Sequence, residues 1–254
     1  MITTISLKRR LRDVVVTGSM LAVANGCSLE TTKPSDGLVL PVAGEAAIAW
    51  AADLSGDFDL FLMRPDGRAG RRLTDATGFD GEPFWAPDAT RLVFSSERSG
   101  SSDLYILDLV DGRTRRLTHS GAADVAPSWS PDGTMIAFVS HRDGNAEIYT
   151  IEADGTGSRR LTDHPGIDEH PSWSADSRRL LFTSNRHGSH DVFAMDVADG
   201  EASVQVILAS AAEEGHAVWS PDGEQLAYVS DESGDFEVYV QRVATPDARP
   251  VNVS

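Results

Sequence analysis

The 254-residue sequence contains a single cysteine, Cys27, so no disulfide can form within the chain. Cations are also scarce: 22 Lys and Arg stand against 39 Asp and Glu, a formal net charge of −17. That balance weighs against nucleic acid or an anionic membrane surface as the main partner. There is no G-x-S-x-G elbow, no phosphate-binding G-x-x-x-x-G-K-[ST] loop and no G-x-G-x-x-G fingerprint. Nucleophilic hydrolysis, nucleotide hydrolysis and nicotinamide chemistry therefore have no local support, and no cofactor is expected. No helix-period segment is long enough to cover a sheet.

Residues 1–27 read as an export signal. LKRRLR precedes VVVTGSMLAVANGC, whose apolar core is too short to span a bilayer stably. Two processing routes fit. Ala22-Val23-Ala24 has the small-x-small form of a peptidase site. Ala24-Asn25-Gly26-Cys27 resembles a lipoprotein box, in which Cys27 becomes the lipidated N-terminus and the membrane is reached only through that anchor. Residues 28–37, SLETTKPSDG, are polar and aperiodic and read as a flexible tether.

The remainder, residues 38–254, is repetitive. Trp85, Trp129 and Trp173 recur every 44 residues and Trp219 follows after 46; Phe94, Phe138, Phe182 and Tyr228 keep the same beat nine residues downstream. Trp50 falls one period before Phe94, which makes five copies, near 38–80, 81–124, 125–168, 169–214 and 215–254. Each copy predicts four short strands: one ending in the tryptophan, a nearly continuous apolar run such as TMIAFVS (134–140), an alternating strand such as EIYTIEA (147–153), and RRLT or its substitute. Ser-Pro-Asp-Gly turns (130–133, 220–223) separate the first two; a glycine loop and an Asp-Gly turn separate the others. Copy one is degenerate, with Pro41 at the tryptophan position and Gly44 at the turn aspartate. Four strands per period imply an all-β propeller of four-stranded blades, either five-bladed or an incomplete six-bladed ring.

PSWSPDGxxIAFVSxRDGxxEIYxxxADGxxxRRLT resembles the WD40-like repeat of the TolB-type propeller proteins, over residues 38–254. The resemblance implies a propeller that binds other proteins in the bacterial cell envelope or periplasm. The pattern departs from that family in having one blade too few and no α/β domain before the first repeat. Related repeats also occur in sugar lyases and beside peptidase domains, so fold does not dictate function.

Candidate site residues follow from the repeat. Asp80, Asp124, Asp168 and Glu214 sit five positions before each tryptophan, in the loop that leads into the innermost strand. Brought together they would make a negative rim at the channel mouth; separately, each would shape its own loop. A second series, Asp59, Asp103, Glu147, Asp191 and Glu237, precedes every third strand and reads as structural, with Arg98, Arg142 and Arg186 as expected partners. Histidines break the symmetry: His170 and His216 share one position three before the tryptophan, with His164 nearby, whereas His187 and His190 are expected at the opposite rim or outer edge. No metal-ligand spacing is present, and no metal is assigned. The reading is an exported, non-catalytic scaffold that takes a protein or basic peptide at its mouth through Asp80, Asp124, Asp168, Glu214, His170 and His216. The alternative is a metal-assisted sugar lyase or hydrolase-like enzyme working at the same mouth.

Overall fold

A computed structural model describes residues 47–53, 56–67, 70–244 and 249–254. The candidate signal, Cys27, the tether and the expected first strand of copy one lie outside the described residues.

The architecture is a five-bladed β-propeller. The first blade comprises β1 (Ile48–Asp53), β2 (Phe58–Met63) and β3 (Arg71–Arg72) among the described residues. The second holds β4 (Asp80–Trp85), β5 (Arg91–Ser96), β6 (Asp103–Asp108) and β7 (Thr114–Arg116). The third holds β8 (Asp124–Trp129), β9 (Met135–Ser140), β10 (Glu147–Glu152) and β11 (Arg159–Arg160). The fourth holds β12 (Asp168–Trp173), β13 (Arg179–Ser184), β14 (Asp191–Asp196) and β15 (Gln205–Leu208). The fifth holds β16 (Glu214–Trp219), β17 (Gln225–Ser230), β18 (Glu237–Arg242) and β19 (Val251–Asn252). Each sheet is antiparallel and runs in sequence order from inside to outside.

The local chemistry of the repeat explains these strands. In the turn at Ser130–Gly133, Asp132 Oδ1 accepts hydrogen bonds from Ser130 Oγ at 2.7 Å and from Thr134 N and Oγ1 at 3.0 and 2.8 Å. Gly133 takes φ 76° there, while the weaker turns force Ala89 and Ser177 to φ 55° and 60°. RRLT forms less strand than its length suggests, because only its arginines join the ladder. The threonine replaces the next rung with its side chain: Ile148 N donates to Thr162 Oγ1 at 2.8 Å, and Leu60 and Leu104 donate likewise to Thr74 and Thr118.

The core is four separate seams rather than one centre. In each, aliphatic residues from one blade, Leu60 and Leu62 in the first and mainly small or β-branched ones in the third, meet aromatic and long aliphatic residues of the next. Ala137, Val139 and Ile148 of the third blade, for example, pack on Leu180, Phe182, Phe193 and Met195 of the fourth. The same pairing joins first to second, second to third and fourth to fifth blades. Burying such side chains contributes about 1.5–3 kcal/mol each before entropy is counted.

The second-to-third and third-to-fourth seams are also strapped. Arg115 Nη1 and Nη2 reach the carbonyls of Asp154 and Ala153 at 3.1 and 2.8 Å, and Arg159 reaches those of Ala198 and Val197 in the same way. In the fourth blade Gln205 occupies that register position, paired with Ala194 as Arg159 is with Thr150.

Candidate functional site

The innermost strands β4, β8, β12 and β16 lie side by side around the axis. Each carries a bulge at one place, between Gly81 and Phe84, Val125 and Ser128, Glu169 and Ser172, and Gly215 and Val218. The residue put into the left-handed region by the bulge is Glu82, Ala126, His170 or His216, at φ between 50° and 54°. Non-glycine residues adopt this conformation at a cost of about 1–2 kcal/mol. The bulges bond one blade to the next: Glu82 Oε2 accepts from Ala126 N at 2.7 Å, and Thr183 Oγ1 from His216 N at 3.2 Å. Sequence reasoning singled out the two histidines but not Glu82. The proline after the bulged residue in three copies (Pro83, Pro127, Pro171) was the available signal, because proline inside a strand marks a bulge or an edge.

The acids at the start of these strands are buried in the blades, not displayed on an open rim. Asp80 and Asp168 receive Arg98 and Arg186 at 2.8 and 2.9 Å. Asp124 receives Arg142 at 3.0 Å, Ser140 Oγ at 2.6 Å and Ser120 Oγ at 3.0 Å. Burial raises the Asp168 carboxyl above its ordinary range against the opposing pull of Ser184 and Arg186. The fifth blade departs from this scheme: Glu232 stands at the repeat position of Arg98, Arg142 and Arg186. Glu214 therefore has Ser210 as its hydrogen-bond partner and a second carboxylate nearby. Its pKa is raised by burial, with Asp191 and Glu232 adding to the shift.

Pairing of the second acidic series differs from expectation. Arg98, Arg142 and Arg186 are engaged by the first series, and the second is held by the second arginine of RRLT. Arg72 meets Asp59 at 2.5 Å, Arg116 meets Asp103 at 2.7 Å and Arg160 meets Glu147 at 2.7 Å. The antiparallel order explains it: that arginine pairs on the outer strand with Phe61, Tyr105 or Tyr149, two positions beyond the third strand's acid, a relationship invisible to sequence distance. The fourth blade has Val206 in place of this arginine, and Asp191 is met by Ser189 Oγ at 3.3 Å and His187 Nδ1 at 3.8 Å.

His170 and His216 come together across the fourth and fifth blades with ring centroids 3.7 Å apart. Both are held below the ordinary imidazole range. For His170 the cause is burial and then His190; for His216, pushed down to about 4, it is burial and then His170, opposed by Glu169. His170 Nδ1 is buried without a hydrogen-bond partner. His190 lies at this same end, contrary to expectation: its carbonyl accepts Glu214 N at 2.7 Å and its Nδ1 is 2.7 Å from Glu213 Oε2. The second-to-third-strand loop returns to the end at which the inner strand begins, which the strand count requires. His164 Nδ1 accepts Gly166 N at 2.9 Å and so shapes its own loop. Among the described residues, no three His, Cys, Asp or Glu side chains converge as metal ligands would.

Repeated four-stranded blades with a variable inner-strand bulge define a propeller whose blades share a scaffold and differ at one end of the axis. The chain belongs to the TolB beta propeller domain family, whose model matches residues 43–125 and 122–254. A 49-residue stretch, 19% of the chain, is 39% identical to a protein TolB homolog of Chlorobium luteolum, of which it covers 11%. The structure is similar to TolB from Acinetobacter baumannii, at 26% identity and TM-score 0.73, over 82% of this chain and 52% of that one. It also resembles a putative TolB from Agrobacterium tumefaciens, at 25% identity and TM-score 0.62, over 78% and 70% of the two chains. The chain thus spans about half the length of the Acinetobacter protein.

Proposed function

We propose that this propeller is a non-catalytic, exported binding scaffold that takes a protein or basic peptide at the mouth where the inner strands begin. The observation that carries the reading is the bulge: one strained, repeated backbone position holds Glu82, Ala126, His170 and His216, three residue types on one frame. Strain retained at a position whose side chain varies between blades suits a recognition site. Within the mouth, the fourth-to-fifth-blade sector is the docking point. Asp80, Asp124 and Asp168 are offset by arginines and act as positioning residues for their loops, whereas Glu214, two positions before His216 on the same strand, faces Glu232 where the other blades carry that arginine. A basic segment complements that sector.

Export follows from the LKRRLR-led N-terminal signal, with Cys27 as the lipid attachment point. Mass spectrometry of the mature N-terminus tests it; an N-terminus that begins at Met1 would refute export by this signal.

The binding reading is tested by affinity capture from envelope extracts, using the wild type and a His170→Ala/His216→Ala variant of unchanged melting temperature. Proteins retained by the wild type should be lost by the variant, and by Glu214→Gln/Glu232→Gln. Equal retention by all three would sink the proposal.

A further inference from the structure

The four seams leave two faces over. In the second, third and fourth blades, the face equivalent to Ala137, Val139 and Ile148 is fully buried against the next blade. In the fifth blade the same register positions, Ala227, Val229, Val238 and Val240, are only half-buried, and they belong to none of the four cores. The alternation along β17 and β18 is strict: Leu226, Tyr228 and Tyr239 point into the fourth blade and are buried, and their neighbours point away.

The first blade shows the opposite half. The positions equivalent to Leu180, Phe182, Phe193 and Met195 are Ile48, Trp50, Phe61 and Met63. Ile48 is 41% exposed, and Trp50 and Met63 are half-buried. Trp50 covers Phe61 by stacking at 5.5 Å. None of these four joins a core cluster. Among the described residues, no strand of the fifth blade packs on the first as neighbouring blades pack elsewhere.

One leftover face is therefore small and β-branched and the other is aromatic and long-chained, and they occupy the two sets of register positions that the chain joins four times internally. Neither is self-complementary, since bulky side chains need the shallow face opposite them. We infer that the two faces form a head-to-tail interface between copies of this chain, with the first-blade face of one copy on the fifth-blade face of another. The occupant is a second copy because each internal seam is this same pairing and both halves are present on every chain. Such a heterologous contact propagates into a ring or a filament according to whether its rotation closes. Since each copy carries a net charge of −17, self-association should strengthen as salt rises.

The test uses the full chain carrying Cys27→Ser, so that no lipid contributes, in sedimentation velocity over a hundredfold concentration range at low and high salt. The wild type should associate with concentration. Val240→Lys and Trp50→Lys should each be monomeric and folded by circular dichroism. An equimolar mixture of the two should give a 1:1 dimer, because each variant keeps the face that the other has lost. Should a lysine variant fail to fold, Val229→Thr and Ile48→Thr serve instead, each expected to weaken association at least tenfold. A wild type that stays monomeric throughout, as closure of the ring within one chain would produce, overturns the inference; so does a mixture that remains monomeric.

Discussion

Arg142 extends back over its own strand so that Nη2 lies 3.0 Å from both carboxylate oxygens of Asp124, whose side chain is fully buried. Nε of the same guanidinium donates to Ser140 Oγ at 2.8 Å, and that hydroxyl donates to Asp124 Oδ1. The acid, the second strand and the glycine loop are thereby fastened together at one point. The guanidinium also lies over the Tyr149 ring, 4.5 Å from its centroid.

Asp124→Asn leaves the arginine facing a neutral amide and should destabilise the chain by about 3 kcal/mol, the lower end for breaking a buried pair, because Arg142 keeps some contact with water. Asp124→Asn/Arg142→Met should recover part of that loss in urea unfolding. Equal losses in the single and double variants would mean that the pair carries no coupling.

Stability should depend on pH through the paired histidines. Their folded values lie below the ordinary 6.5, with His216 at about 4. Above pH 6.5 the imidazoles are neutral in both folded and unfolded chains. As pH falls from 6.5 toward 4, the unfolded chain takes up protons that the folded one refuses, so stability is lost through that window. Asp168 and Glu214, whose values are raised by burial, act in the opposite sense as pH falls toward their ordinary 3.8 and 4.5, and so oppose the histidines within the same window. The informative quantity is therefore the difference between wild type and His216→Asn in thermal melts from pH 7.5 to 4. The wild type should lose the larger share of its melting temperature; parallel curves would contradict the assignment.

The fourth-to-fifth-blade seam lacks the arginine strap that Arg115 and Arg159 supply to the two seams before it. Gln205→Arg should restore it and raise stability by roughly 1 kcal/mol, and Arg115→Ala should cost a similar amount. Urea midpoints measure both, and a destabilising Gln205→Arg would show that the fifth blade offers no carbonyls in reach.

Ala89 holds φ 55° where Gly133 and Gly223 hold 76° and 72° in the corresponding turns. Ala89→Gly should stabilise by about 1 kcal/mol, since glycine relieves the left-handed strain at an exposed turn. A calorimetric melting temperature unchanged or lowered would show that the turn pays no such cost.

Much of the fold was legible because the repeat is redundant. Each tryptophan, turn aspartate and loop glycine was stated several times, and a blade is a local object with short connections. The candidate site was legible only in part. His170 and His216 were visible as breaks in the repeat, and the structure adds that they meet. The acids were visible, but not their burial, because exposure depends on which strands flank a position and not on the residue type. Glu232 could have been found by aligning the glycine loops, where RSGS, RDGN and RHGS give way to ESGD.

The order of strands and the positions of the repeated turns were determined by the sequence alone, since each rests on a local preference repeated at a fixed period, whereas the choice between five blades and an incomplete ring of six was not. Only the tertiary structure decided which arginine answers which carboxylate, because antiparallel pairing makes neighbours of residues 13 or 18 positions apart. It also decided which faces find a partner. The same alternating strand is buried on both sides within the array and on one side at its ends, and nothing in the strand itself distinguishes the two.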